Sequence, residues 1–389
     1  MMIVIRNGEV YSPEYIGKKD LLIAGEKIIA IADYIDISTL NVEVKEVFAE
    51  GHLIVPGFID SHVHIIGGGG EGGFMTRTPE LMLTQATKAG VTTIVGVIGT
   101  DGTTRTMPDL IAKARGLEEE GITCYVHTGS YQIPVKSLTG SIQSDLILID
   151  KIIGVGEVAI ADHRSSQPTV EELSRIASEA RVGGMLAGKS GAVNIHVGDG
   201  DQKLSLLEQV IKTTDIPISQ FIPTHINRNQ ELFQAGVEYA KNGGYVDFTT
   251  STIKQFLEEG ETKCSKALKT MLDAGVDLRQ ISFTSDAQGS LPAFDSDGKL
   301  IGLKIGDISS LFNEVRDAVL EESIPLEQAV QVITVNPANA LKLKGKGEIK
   351  TGYDADLVLL TKDLEIKTVI ARGQLMIEDF DIKIKGTFE

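Results

Sequence analysis

Apolar residues fall along this chain in two rhythms. From Met2 to Val47 they come in short runs mixed with polar residues, Ile3-Val-Ile-Arg-Asn-Gly, Asp20-Leu-Leu-Ile-Ala-Gly and Lys27-Ile-Ile-Ala-Ile-Ala, as strands and turns do. Asn7-Gly8 predicts a turn between strands. The same vocabulary returns in Gly347 to Leu360 and Lys367 to Gly373. Neither end makes a stable sheet alone. Residues 1–52 and 345–389 are therefore expected to pair into one small β-sandwich domain built from both termini.

Between the ends the strand-like runs become continuously apolar, near 53–60, 92–98, 122–129, 152–160, 192–198, 218–226, 245–251 and 281–287. Helix-length segments separate most of them. Buried parallel strands alternating with helices predict an α/β fold, and eight such units match a TIM-like (β/α)8 barrel over residues 53–344. Helix punctuation agrees with this reading. Thr78-Pro79 offers an N-cap followed by proline, and Thr169-Val-Glu-Glu172 has the form of a capping box. Helical text follows over Ile308 to Glu322 and Leu326 to Leu343. No internal repeat or low-complexity tract interrupts the pattern.

Charge narrows the partners. The 389 residues carry 37 Lys and Arg against 54 Asp and Glu, a formal charge of -17, which argues against nucleic acid. An anionic ligand would have to be held by local arginines. Cys124 and Cys264 form no disulfide framework. The first residues lack a signal-peptide pattern, and no apolar run reaches the roughly 18 residues of a membrane span. A cytoplasmic protein with no membrane contact is expected.

Chemistry gathers at the predicted strand ends, where barrel active sites lie. His62 and His64 end the first strand and point to one face, so two imidazoles can grip one ion. A glycine-rich loop follows, leaving room for a substrate. The fourth strand carries Glu157, the fifth His196, the sixth His225 and the eighth Asp286. Nitrogen and oxygen donors without thiolate suit zinc or another first-row divalent metal used for chemistry. Six donors exceed the three protein ligands of a usual catalytic zinc. Two metal ions sharing a carboxylate, about 3.5 to 4 Å apart and activating water to a hydroxide, fit that number.

This ligand pattern resembles the amidohydrolase superfamily, over nearly the whole chain. Ile65-Ile-Gly-Gly-Gly-Gly-Glu-Gly-Gly-Phe-Met-Thr-Arg-Thr-Pro, Thr128-Gly-Ser-Tyr-Gln-Ile-Pro, Ala161-Asp-His-Arg-Ser-Ser, Pro223-Thr-His-Ile-Asn-Arg-Asn and Thr284-Ser-Asp-Ala-Gln-Gly-Ser resemble its isoaspartyl (β-aspartyl) dipeptidase branch. The resemblance implies a metallo-dipeptidase that hydrolyses the isopeptide bond of β-aspartyl dipeptides, with two Zn2+ per subunit and a homo-oligomeric assembly. It implies that Glu71 takes the free ammonium, with Thr100 and the Gly69 backbone nearby. Arg228 and Ser290 are expected on the aspartyl α-carboxylate and Arg164 on the C-terminal one, as two guanidinium forks suit two carboxylates. Tyr131 is expected to donate to the carbonyl oxygen, and Asp286 to act as general base and acid.

One position departs from the family. Relatives place a carbamylated lysine where this chain has Glu157, whose side chain is shorter by three chain atoms, a deficit of roughly 3 to 4 Å. Glu157 is expected to bridge the two metals directly. Two other readings remain open on the sequence: a cyclic amidohydrolase of the hydantoinase or dihydropyrimidinase kind, and a barrel without activity serving as a scaffold.

Overall fold

The structure, a computed structural model, describes residues 2–38, 40–294 and 300–389. Eight parallel strands stand where the apolar runs place them. In chain order they are Phe58–Val63, Val91–Gly96, Thr123–Thr128, Ile152–Ile160, Ala192–Val197, Phe221–Thr224, Val246–Thr249 and Ile281–Thr284, called here the first to the eighth. The first six form one parallel sheet in sequential order, and the last two form a parallel pair. Backbone hydrogen bonds at both edges tie the pair to the sheet. Ile226 N donates to Asp247 O at 3.1 Å, and His64 N donates to Ala287 O at 2.9 Å beside a parallel bridge between Val63 and Ala287.

Every residue of the fourth and fifth strands is buried. Strands covered on both faces are continuously apolar for this reason. Helices Met107–Glu119, Ile142–Leu148, Val170–Ala187, Ser205–Thr213, Gln230–Lys241 and Cys264–Asp273 supply the cover. The capping box of Val170–Ala187 forms as expected: Glu172 N donates to Thr169 Oγ1, and Thr169 N donates to the Glu172 carboxylate.

The chain ends meet in a nine-stranded sheet. Ile3, Ile5, Ile23, Ile54, Leu357 and Ile370 share its core. The run 53–60, expected as one strand, divides at Gly57. Leu53–Pro56 pairs antiparallel with Leu357–Leu360 and parallel with Glu9 and Val10, so it lies in the terminal sheet, on the far side of the expected boundary at 52 and 53. Gly57 permits the crossing, because a Cβ there would stand 2.3 Å from Thr92 Oγ1.

Three local expectations change. Asn7-Gly8 makes a bulge inside the strand Met2–Tyr11, with Asn7 at φ 54° and a register slip between Ile5 and Gly8. Asp20 explains it by accepting from both Asn7 N and Arg6, which keeps the strand paired through the slip. Thr78-Pro79 starts no helix. The Thr78 hydroxyl instead accepts from Gly68 N at 2.6 Å and donates to Gln288 O, pinning the glycine loop. The helical text after Leu326 is broken into Leu326–Ala329, a 3-10 turn Val330–Ile333 and Val335–Ala340. Asn336 there donates to the carbonyls of Leu278 and Ile281.

Candidate active site

The six predicted ligands converge at the C-terminal ends of the parallel strands. Glu157 lies at their centre. Its Oε2 stands 3.3 Å from His62 Nε2, 3.2 Å from His196 Nδ1 and 3.9 Å from His225 Nε2, while Oε1 is 3.4 Å from His64 Nε2. Asp286 Oδ1 closes the group, 3.0 Å from His64 Nε2 and 3.6 Å from His62 Nε2. His225 and Asp286 adopt positive φ, 65° and 55°. Side chains other than glycine hold that conformation where the surroundings force it, commonly at functional sites.

Glu157 reaches the centre because the fourth strand carries one residue more than its neighbour between Val155 and Val158, facing Val193 and Ile195. Such a bulge re-aims the side chain it carries. Gly156 occupies it at φ 143°, where a Cβ would stand 2.7 Å from Asn194 O.

Neighbouring side chains fix the imidazoles. His62 Nδ1 meets Asn194 Oδ1 at 3.0 Å and His225 Nδ1 meets Thr249 Oγ1 at 2.5 Å, so each ring turns Nε2 inward. His196 is reversed: Nε2 faces Asp162 Oδ2 at 2.9 Å and Nδ1 faces Glu157 and the Tyr131 hydroxyl, the latter at 2.8 Å. Asn194, Thr249 and Asp162 were not singled out from the sequence. Asp162 stands inside the quoted phrase Ala161-Asp-His-Arg, but a lone carboxylate beside an arginine carries no distinctive spacing.

The donor set fits a divalent cation. His62 Nε2, Glu157 Oε1 and Asp286 Oδ1 are buried without a hydrogen-bond partner among the described residues. His62, His64 and Asp286, and likewise His62, Glu157 and His225, each offer three ligand atoms within 4.8 Å of one another. Burial would lower the His62 imidazole, yet the Glu157 carboxylate lifts it to about 10. The same burial would raise Glu157, and His62 instead holds it well below the carboxylate range. Burial, with His196 beside it, pushes His225 down to about 3. A cluster that draws a proton this strongly onto one ring, while another stays neutral with an inward lone pair, suits a metal ion.

The cluster opens into a cavity of about 340 Å³, lined among others by Gly69, Glu71, Thr100, Tyr131, Arg164, Arg228 and Ser290. All predicted substrate residues are thus brought together. Glu71 accepts from Ser290 Oγ at 2.9 Å and from Thr100 Oγ1 at 3.5 Å. The buried Nε of Arg228 has no hydrogen-bond partner among the described residues. Arg164 differs from expectation. Its fork is already filled by Asp162, which accepts from Nε at 2.9 Å and Nη2 at 2.7 Å, leaving Nη1 at 3.6 Å from Glu71 Oε1. The Tyr131 hydroxyl rests on His196, and burial raises it well above its ordinary range, so it remains a proton donor.

The sequence profile of the amidohydrolase family matches residues 53–376. The chain belongs to that family. Within it, the chain is similar to the crystal structure of β-aspartyl dipeptidase from Fervidobacterium islandicum AW-1 in complex with β-Asp-Leu, with 44% identity and a TM-score of 0.92 over 98% of this chain and 99% of the other. More distant relatives differ in activity. An adenine deaminase of Listeria welshimeri is 26% identical over 97% of this chain, and the match spans 58% of the deaminase's length. A dihydroorotase of Lactobacillus gasseri is 26% identical over 99% of this chain and 93% of its own length.

Proposed function

We propose that this hydrolase cleaves the isopeptide bond of β-aspartyl dipeptides. The observation that carries the reading is the charge pattern of one cavity, in which Glu71 and Arg228 flank the histidine–carboxylate cluster. A β-aspartyl dipeptide presents one ammonium and two carboxylates to such a cavity. The 44% identical dipeptidase with β-Asp-Leu bound supports the same assignment.

His62, His64, His196, His225 and Asp286 would hold two Zn2+ ions, with Glu157 between them. Such ions lower the pKa of water in the site to about 7 and polarise the scissile carbonyl. Burial would raise Asp286, but the adjacent His64 imidazole holds it below its ordinary range, so it is ionised and accepts the proton of the attacking water. It then delivers that proton to the leaving amine. Tyr131 turns its hydroxyl from His196 to the carbonyl oxygen as negative charge develops. Glu71 takes the substrate ammonium, aided by Thr100 and the Gly69 backbone. Arg228 and Ser290 take the aspartyl α-carboxylate. The Nη1 edge of Arg164, beside Glu71, takes the C-terminal carboxylate, as a single arm rather than a fork.

The eight parallel strands are proposed to close as a (β/α)8 barrel, supported by the links at Ile226 and His64, with the terminal sheet folding over its core as a sandwich. The buried free thiols Cys124 and Cys264 support a cytoplasmic setting. Among the described residues no helix is long and apolar enough to cross a membrane. Homo-oligomerisation is supported by exposed Leu148, Met185 and Leu186 on the packed helices Ile142–Leu148 and Val170–Ala187.

Assay of β-Asp-Leu against α-Asp-Leu with Zn2+ present tests the substrate. Hydrolysis of the β-linked dipeptide alone is expected, and equal rates would overturn the assignment. The full-length match to a dihydroorotase favours, as a second reading, a cyclic amide carrying one carboxylate. Turnover of dihydroorotate or a hydantoin without turnover of β-Asp-Leu would select it.

A further inference from the structure

Asp162 is buried with four donors on its two oxygens. Oδ1 accepts from Arg164 N at 2.7 Å and Arg164 Nε at 2.9 Å; Oδ2 accepts from Arg164 Nη2 at 2.7 Å and faces His196 Nε2 at 2.9 Å. Its own carbonyl accepts from Ser165 N at 3.0 Å and Gln167 Nε2 at 2.9 Å. The carboxylate therefore has one orientation that satisfies every neighbour. One side of it belongs to the predicted metal-ligand set and the other to the substrate set.

We propose that Asp162 is a positioning residue that sets His196 and Arg164 together, so that the metal-binding and carboxylate-recognising ends of the cavity are built by one side chain. Toward His196 it fixes the tautomer. An acceptor at Nε2 keeps the proton there and leaves the Nδ1 lone pair facing Glu157. Toward Arg164 it occupies Nε and Nη2, so that only Nη1 is offered to a ligand, while the guanidinium carbon lies 5.5 Å from the centre of the Tyr131 ring. The second half rests on the proposed dipeptide substrate; the first does not.

An asparagine in this place must turn its NH2 toward donors whichever way it flips. Facing His196, that group donates to Nε2, moves the ring proton to Nδ1 and removes the inward lone pair. Facing Arg164, it opposes two N–H groups and frees the guanidinium to swing. Asp162→Asn is therefore expected to lower Zn2+ affinity, read by chelator competition on the folded protein, by about 10- to 100-fold. The same variant is expected to shrink the preference, in KM, for β-Asp-Leu over its C-terminal amide. Circular dichroism and melting of the metal-free protein control for folding. If Asp162→Asn does not fold, Asp162→Ala with and without added formate replaces it, with recovery of Zn2+ affinity by formate expected.

Unchanged Zn2+ affinity in the folded variant, or no recovery by formate, overturns the proposal. Loss of affinity with an unaltered preference between acid and amide also overturns it, since Asp162 would then serve His196 alone. If wild-type protein fails to turn over β-Asp-Leu, the substrate reading falls, and the chelator experiment still decides the role of Asp162 toward His196.

Discussion

The two oxygens of Glu157 face different histidines. Metal-depleted protein is expected to recover full activity with Zn2+ alone; a requirement for added bicarbonate would show that another carboxylate source completes the site. Glu71→Gln and Arg228→Met should each raise KM for β-Asp-Leu by about 10- to 100-fold, the worth of one charge-assisted hydrogen bond. Zn2+ content should not change, because neither side chain is among the predicted ligands.

Asp247 gives a prediction of a different kind. Buried among the parallel strands, it accepts from Thr224, Ser282 and Thr284 at 2.6 Å each, yet burial pushes it from 3.8 up to about 6. A carboxyl raised on folding binds its proton more tightly in the native state. Its contribution is complete below about 4 and is lost as pH rises through about 6, an amount of roughly 3 kcal/mol. Urea titrations of Asp247→Asn should show a flatter stability profile across that window than wild-type protein. Identical slopes would mean that Asp247 does not titrate there.

Among the elements, the bulge in the fourth strand has the greatest effect on the site. Gly156→Ala should cost stability and Zn2+ affinity together, because a methyl group at Asn194 O pushes Glu157 off centre; chelator competition and a thermal melt read both. The eight apolar runs were legible because burial on both faces leaves each strand mostly apolar, with only a few buried polar residues such as Asp247. The break at Gly57 was not, because Leu53–Pro56 and Phe58–Val63 are both buried although they belong to different sheets. The meeting of His62, His64, His196, His225 and Asp286 in one cluster could be expected because histidines and carboxylates at strand ends of one fold are few. The capture of Arg164 by Asp162 could not, since Asp-x-Arg spacing does not say which face of a loop the two share.

At the scale of the whole molecule, Lys346 joins the two sheets. Its buried ammonium donates to Thr123 Oγ1 in the third strand at 2.6 Å and lies 2.5 Å from Asp356 and 2.9 Å from Asp354. Burial would lower it, but Asp356 and Asp354 raise it, so the ammonium stays charged through neutral pH and its contribution is lost only above the ordinary lysine range. Lys346→Met strands two carboxylates at that seam and should lower unfolding free energy by about 3 to 5 kcal/mol in urea titrations. A change below 1 kcal/mol would show that water reaches the seam.

The pairing of Val55 with Val358 also sets an order of assembly during synthesis. The N-terminal strands leave the ribosome about 300 residues before the strand that completes their sheet. Until then one edge is open, and an open edge recruits other chains. Long-range closure of this kind is slow, so the nascent chain spends its growth exposed to that hazard. Ribosome-stalled chains ending before residue 357 should therefore bind chaperones through their N-terminal strands and release them once Leu357–Leu360 emerges.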